Sequence, residues 1–342
     1  MVWWGQAWHG SGQELGLALM ATRSTANVQR ITRERKEPLV RCTFAGSLDA
    51  RWEGDHHSCG ALIPFHPQHP CPECNQLQIR PHAPNPTADS LVIDGPATII
   101  DAATDEVVCV HWTGAAELAS RLARQLADVQ WHDPVHKTIN NSGRLSGLRV
   151  EHRVFGFTPP APMRKRYGCS RSSFNVDYPE AMQSISEFCL LSEWVFRTFA
   201  PDVHERTGAS VREVIPTPWR MAGTLWTSGI INHSASLPYH RDSANVPLSW
   251  SSMLGMRHRM AGGLLHLADY DLYLSIPHGS ISIFDGQSVL HGVTPLQPLG
   301  PNAQRYTAVT YAKSIMRCCG DPKAEVRRAA LAATAAEDAR RR

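Results

Sequence analysis

The chain has 342 residues, 42% of them hydrophobic, and a formal net charge of +3 at pH 7. That is enough for one large domain or two smaller ones around a sizeable core. No run approaches the roughly 20 apolar residues that a bilayer-spanning helix needs, and so mild a charge neither demands nor excludes nucleic acid as a partner.

The first residues, "MVWWGQAWHGSGQELGLALMATRS", lack a basic stretch followed by a clean apolar one, so they do not read as a secretory signal. A disordered leader over 1–35 is expected, with Met20 as an alternative start. Without a signal, the nine cysteines point to a reducing compartment and to metal-binding thiols rather than disulfides. The expected compartment is the cytoplasm of a bacterium or phage-infected host, or the nucleus if the source is eukaryotic.

The segment "DHHSCGALIPFHPQHPCPEC" follows, with Cys59, Cys71 and Cys74 among several histidines. Cys71-Pro-Glu-Cys74 is a tight knuckle from which two thiolates reach one tetrahedral metal. A structural zinc ribbon is expected, with His57 as the fourth ligand and His56, His69 or Cys42 as alternatives. A thioredoxin-like redox pair would open a helix after a strand; Pro72 and the surrounding prolines argue against it. Scattered free thiols are the bland reading.

Residues 91–112 alternate apolar and polar positions and predict a strand pair. Leu118, Leu122 and Leu126 repeat at helical spacing, so 114–129 reads as an amphipathic helix with a core-facing stripe. Strand-like pieces occupy 140–157. A proline-rich basic loop then carries Arg164, Lys165, Arg166 and Arg171, with Tyr167 and Phe174 interleaved. Cations neutralise phosphates and aromatics stack on bases, although a solvated charged loop is the commoner meaning of such a run. Residues 179–199 read as a long helix packed on the outside of the sheet.

The most informative feature is His240, Asp242 and His291, in the frames "LPYHRDSAN" and "IFDGQSVLHGVTPL". Two imidazoles and one carboxylate on one face of a metal are the ligand set of non-heme Fe(II) oxygenases. Side chains two apart on an extended segment point the same way, and His291 arrives from a distant strand. In a chain with 17 histidines a chance H-x-D is not rare, but context raises its meaning. The run "GGLLHLADYDLYLSIPHGSISIFDGQSVLHGV" reads as short strands separated by turns. "QRYTAVTYAKS" then alternates as a final strand opened by Arg305.

Here the chain resembles the Fe(II)/2-oxoglutarate dioxygenases, over roughly 225–315. The matching pieces are H-R-D at 240–242, "GG-x-L" at 262–265, "HGSISIFDG" at 278–286, "LHGVTPL" at 290–296 and "RYTAVTY" at 305–311. The resemblance implies a mainly β fold with flanking helices (α+β), built on a double-stranded β-helix of jelly-roll type. It implies Fe(II) on His240, Asp242 and His291, with 2-oxoglutarate and O2 as co-substrates. Arg305 matches the arginine that binds the far carboxylate of 2-oxoglutarate, a role suited to a planar guanidinium; Arg317 is the less favoured substitute. Asn232 and Tyr239, just before the first ligand, are candidates to orient the cofactor site, with a turn and strand packing as their structural alternatives.

Among branches, the chain looks most like the TET/JBP group, which hydroxylates the 5-methyl group of pyrimidines in DNA. "NHSASLPYHRDSAN", the "GGLLHL" strand and the basic loop carry that likeness. The large inserts and extended Cys-rich region of animal members are absent. The expected organisation is a leader at 1–35, a zinc-ribbon-like segment at 36–90, the dioxygenase domain at 91–320 and a basic Ala/Arg-rich helix at 321–342. The alternatives are a hydroxylase of a small molecule or protein side chain, and a zinc-ribbon nucleic-acid-binding module on an inactive oxygenase fold. The intact triad with Arg305 argues against the last.

Overall fold

From residue 228 onward, apolar and polar positions alternate in short runs broken by Gly, Pro and Asp. Each run forms a strand. The computed structural model describes residues 38–45, 83–131, 151–242 and 244–341. The chain divides into two compact units, 1–38 and 39–342, and all described residues but Pro38 belong to the second.

The strands are β1 (Leu39–Cys42), β2 (Leu91–Ile93), β3 (Ala97–Asp101), β4 (Val107–Thr113), β5 (Glu151–Thr158), β6 (Ser170–Arg171), β7 (Ser228–His233) and β8 (Ser251–His258). They continue with β9 (Met260–Gly262), β10 (Leu265–Leu267), β11 (Leu272–Leu274), β12 (Ser280–Phe284), β13 (His291–Val293), β14 (Leu296–Pro298) and β15 (Gln304–Tyr311). A nine-stranded sheet runs β1-β3-β4-β12-β8-β15-β7-β5-β6, and a four-stranded sheet runs β13-β10-β11-β2. A backbone bridge between His240 and His291 adds the segment around His240 to the smaller sheet, beside β13.

From β7 the chain therefore visits the large sheet, the small sheet at His240, the large sheet at β8 and the small sheet at β10 and β11. It returns to the large sheet at β12, the small at β13 and the large at β15. Two strand ladders wound together in this order make a double-stranded β-helix. The sheets face each other: Met253 and Phe284 of the large one share a buried cluster with Leu265, Leu267, Leu272 and Leu274 of the small one. The whole is α+β, as expected.

Helices cover the outer face of the large sheet. Helix Ala116–Leu126 buries Leu118, Leu122 and Leu126, the stripe its spacing predicts. Helix Pro179–Phe199 begins with proline at a first-turn position, where no backbone donor is lost. It buries Ile185, Phe188, Val195 and Phe196 in the same core cluster as the leucine stripe.

Four expectations need adjustment. Residues 91–112 form three strands rather than a pair, because β2 leaves the large sheet and pairs parallel with β11. Part of the segment expected to be a zinc ribbon belongs to the main sheet: β1 pairs parallel with β3. Cys42 is buried there with its thiol donating to the Ile100 carbonyl at 3.2 Å. Burial, then the nearby Asp101 charge, raises its pKa to about 11, which disfavours a metal-binding thiolate. Cys59, Cys71, Cys74, His57, His56, His66 and His69 lie outside the described residues, as does the 1–35 leader.

The expectation of unpaired thiols is corrected by a disulfide between Cys169 and Cys319, whose Cα atoms are 5.8 Å apart. No local pattern signals a pair 150 residues apart. The C-terminal helix Pro322–Arg341 is solvated along most of its length. Its first turn is anchored, because buried Glu325 accepts from the Cys169 backbone N–H at 2.8 Å and from that of Gly320 at 2.9 Å.

Leu122 is fully buried, so Leu122→Ala is expected to cost about 2–5 kcal/mol through lost transfer energy plus a cavity. Equilibrium unfolding in denaturant checks it; a loss below about 0.5 kcal/mol, the range typical of surface sites, would place this helix outside the cooperative core.

Candidate active site

The two histidines of the triad are joined through the backbone. His240 N–H donates to the His291 carbonyl at 2.8 Å, and His291 N–H donates back at 3.0 Å. Residues that exchange both hydrogen bonds in an antiparallel pair stand directly opposite, with side chains on one face. The imidazole centroids are accordingly 4.3 Å apart. Asp242, two residues on, shares that face.

The ligand atoms of His240, Asp242 and His291 all lie within 4.8 Å of one another. Asp242 Oδ1 is 3.9 Å from each Nε2. The Nδ1 atoms face backbone carbonyls, Pro238 O at 2.8 Å for His240 and Val289 O at 2.9 Å for His291. A carbonyl only accepts, so each Nδ1 carries the proton and each Nε2 presents its lone pair to the shared centre. Two neutral imidazole nitrogens and a carboxylate oxygen converging on one point fit a divalent transition metal with open positions on its far side. Another close group, Cys169, Cys318 and Cys319, has two of its sulfurs in the disulfide and does not offer such a site.

Asp242 is held from several sides. Its backbone N–H donates to the Gly286 carbonyl at 2.7 Å. Ser251, buried at the start of β8, donates its hydroxyl to Oδ2 at 3.1 Å and leaves Oδ1 for the metal. A Cβ on Gly286 would sit 2.4 Å from Oδ2, so only glycine lets the 284–291 turn pass this close. Arg241, pointing the other way, forks onto buried Asp269 at 2.9 and 3.3 Å. Asp269 also accepts from the Leu290 N–H at 2.8 Å. One carboxylate thus fastens both ligand segments, and bidentate geometry fixes their orientation.

The triad opens into a cavity of about 290 Å³, whose wall includes Asn232, Asn245, Arg305, Tyr311 and Lys313. Arg305, Thr307, Val309, Tyr311 and Lys313 all face it, the period of two that a strand imposes. Arg305 is 2% exposed. Among the described residues its Nη atoms reach carbonyls alone, Ala235 O and Gly263 O, at 3.2 Å each. Its Nε is buried without a partner among the described residues. Burial, then the neighbouring Arg257, pulls its pKa down to about 9, the mark of a desolvated cation lacking a counter-charge. Gly262 and Gly263 both have φ of +66°, and a Cβ on Gly262 would lie 2.0 Å from the Pro295 carbonyl. The "GG" of the sequence is therefore a left-handed turn that brings backbone against Arg305.

Asn232 lies on the cavity wall and Tyr239 does not. Tyr239 stands one residue before His240, so on an extended segment its ring turns to the opposite side, where its hydroxyl meets His266 Nδ1 at 2.5 Å. The structure gives it strand packing rather than cofactor contact. In the basic loop, Pro162–Arg164 is a 3-10 turn, and Lys165 and Arg171 are exposed. Arg166 comes close enough to Lys313 to act on its charge: burial, then Arg166, lowers the lysine pKa. Among the described residues, the loop itself contributes none to the cavity wall. Ser251, Asn245 and Lys313 were not singled out from the sequence. Asn245 and Lys313 form a cross-strand bridge, a pairing that only the fold reveals. Strand parity from Arg305 was the one available signal for Lys313.

No protein-family model and no curated protein sequence matches the chain. Among solved structures, NgTET1 in complex with 5mC DNA is similar at 13% identity, with a TM-score of 0.46 over 68% of this chain and 85% of that one. A 2OG-Fe(II) oxygenase family oxidoreductase from Burkholderia pseudomallei is similar at 14% identity and a TM-score of 0.37, covering 60% and 85%. A bsmA homolog from Methylobium petroleophilum PM1 gives 14% and 0.30, covering 60% and 89%. These TM-scores lie below 0.5, so the fold assignment stands on the strand order and the site on its side chains.

Ser251→Ala, which frees Oδ2 of Asp242, is expected to weaken Co(II) binding to the metal-free protein by about 10- to 100-fold. Gly286→Ala should do at least as much, by displacing the carboxylate. Absorbance titration with Co(II) reads both; unchanged affinity in the two variants would remove Asp242 from the ligand set.

Proposed function

We propose that the chain is an Fe(II)/2-oxoglutarate-dependent oxygenase that hydroxylates the 5-methyl group of a pyrimidine in DNA. One observation carries the oxygenase reading: three side chains able to ligate a metal and a buried guanidinium, without an acidic partner among the described residues, share a single cavity. Nε2 of His240, Nε2 of His291 and Oδ1 of Asp242 would hold the iron. With 2-oxoglutarate and O2, the bound metal supplies an oxidant able to hydroxylate an unactivated C–H bond.

The chain's own residues do the positioning. Arg305 would take the far carboxylate of 2-oxoglutarate, which supplies the counter-charge the guanidinium lacks. Ser251 keeps Asp242 turned toward the metal. Ile230, Met253 and Val309 give the cavity an apolar wall that limits water around the reacting carbon. Burial, then the Asp242 charge, raises the Tyr311 pKa, so this hydroxyl stays protonated and able to donate toward the site.

The DNA reading rests on the cations of the basic loop and of the cavity wall. The 159–171 loop carries Arg166, whose charge acts on Lys313 of the cavity wall, and Lys165 and Arg171, which are exposed, a set of cations suited to phosphates flanking an entering nucleotide. The cavity, about 290 Å³, is near the lower end of the roughly 300–1,000 Å³ of small-molecule sites. It favours a substrate that inserts one small part, as a base does when turned out of the duplex.

The test is incubation with Fe(II), 2-oxoglutarate and methylated or plain duplex DNA, followed by nucleoside mass spectrometry. One added oxygen on 5-methyldeoxycytidine or thymidine is expected. Succinate formed without an oxidised base would move the substrate to a small molecule or protein side chain. Arg305→Ala is expected to weaken 2-oxoglutarate binding by about tenfold to a hundredfold, the worth of charge-assisted hydrogen bonds. A fully active His240→Ala enzyme would sink the metal assignment.

A further inference from the structure

A second cavity, of about 410 Å³, lies near the end of helix Ala116–Leu126 and the rims of β8 and β15. Its wall includes Ser120, Arg124, Arg257, His258, His278 and Gln304, and no Asp or Glu among the described residues. The hydrogen bonds of its polar groups leave mainly donors facing inward. His278 Nδ1 accepts from the Arg257 backbone N–H at 3.3 Å, so its Nε2 carries the proton and donates to Ser120 Oγ at 2.9 Å. With Oγ acting as acceptor there, the Ser120 hydroxyl hydrogen is left to point elsewhere. Gln304 Oε1 accepts from the Tyr306 hydroxyl at 3.0 Å, which leaves its amide N–H groups available.

Arg257 gives Nη2 to the Gly262 carbonyl at 2.6 Å and Nη1 to that of Ile276 at 3.3 Å, while its Nε is buried with no partner among the described residues. Burial lowers its pKa. A concave site rich in donors and cations, with no internal acid, is complementary to an acceptor-rich anion. We propose that this cavity is a binding site for a small anionic molecule bearing a phosphate or carboxylate group. A recess of this depth suits a compact ligand better than the backbone of a duplex, which runs along open surfaces.

The site has a route to the first cavity. Arg257 and Arg305 face each other across β8 and β15, and their Nη2 atoms hold the adjacent carbonyls of Gly262 and Gly263. An anion in this cavity, held by the side chains around Arg124 and His258 and close to Arg257, offsets positive field at Arg305. The consequence is antagonism: occupancy here weakens carboxylate binding at Arg305, and reciprocally. That coupling, unlike the site itself, rests on the proposed role of Arg305.

Isothermal titration of the full metal-free chain with inorganic phosphate and with citrate tests the site. Phosphate binding more tightly assigns phosphate esters; citrate binding more tightly assigns carboxylic acids; either supports the proposal. Arg124→Gln and His258→Gln alter exposed residues outside the triad cavity, and each is expected to weaken binding by about tenfold. Wild-type protein that binds neither anion overturns the proposal, as do variants that bind both as the wild type does. Variants that lose affinity for duplex DNA but not for either small anion also overturn it. The readout needs no turnover, so it stands apart from any failure of the oxygenase assay.

Discussion

The candidate metal site depends on one reciprocal pair of backbone hydrogen bonds, those exchanged by His240 and His291. They set the two imidazoles opposite each other, and the alternation of an extended chain then delivers Asp242 to the same side. A slip of one residue in this pairing would turn one histidine to the far face of the sheet. The surrounding contacts read as protection against that slip. Asp269 ties the H-R-D segment to Leu290, and glycine at 286 permits the approach that Asp242 needs.

The second constraint is electrostatic. Arg305 is buried and, among the described residues, partnered by carbonyls alone, a costly state for a cation unless something anionic completes it. Arg257, directly across the strand pair, adds a like charge. The region is preorganised for negatively charged ligands at some expense to the empty protein, as expected where binding rather than stability has shaped a site.

Much of the site was legible in the sequence because its chemistry is local. The H-x-D spacing, the distant His291 in a strand-turn-strand context and Arg305 at the head of an alternating run each carry their meaning within a few residues. So did the leucine stripe of 116–126 and the bounds of helix Pro179–Phe199. What escaped is non-local. Ser251 reaches Asp242 only because β8 lies beside β12 and β15, Lys313 meets Asn245 only through a bridge, and Cys169 meets Cys319 only in the folded chain. Adjacency to His240 leaves Tyr239 open between a role at the site and strand packing, and strand parity turns its ring away from the cavity. The departure of β2 to the smaller sheet was equally invisible, since a three-residue strand carries no label naming its partner.

The Cys169–Cys319 bond makes the half of the molecule that carries the candidate site a covalent ring. His240, Asp242, His291 and Arg305 all lie inside it. The turn at 299–302 is exposed, with Leu299 at the surface and Asn302 in a left-handed conformation, the kind of place where proteases cut. A single cut there would not release a fragment: the two pieces would migrate together until a reductant opened the ring. Chain integrity and site integrity are thereby uncoupled, and a nicked molecule can keep all four residues in register.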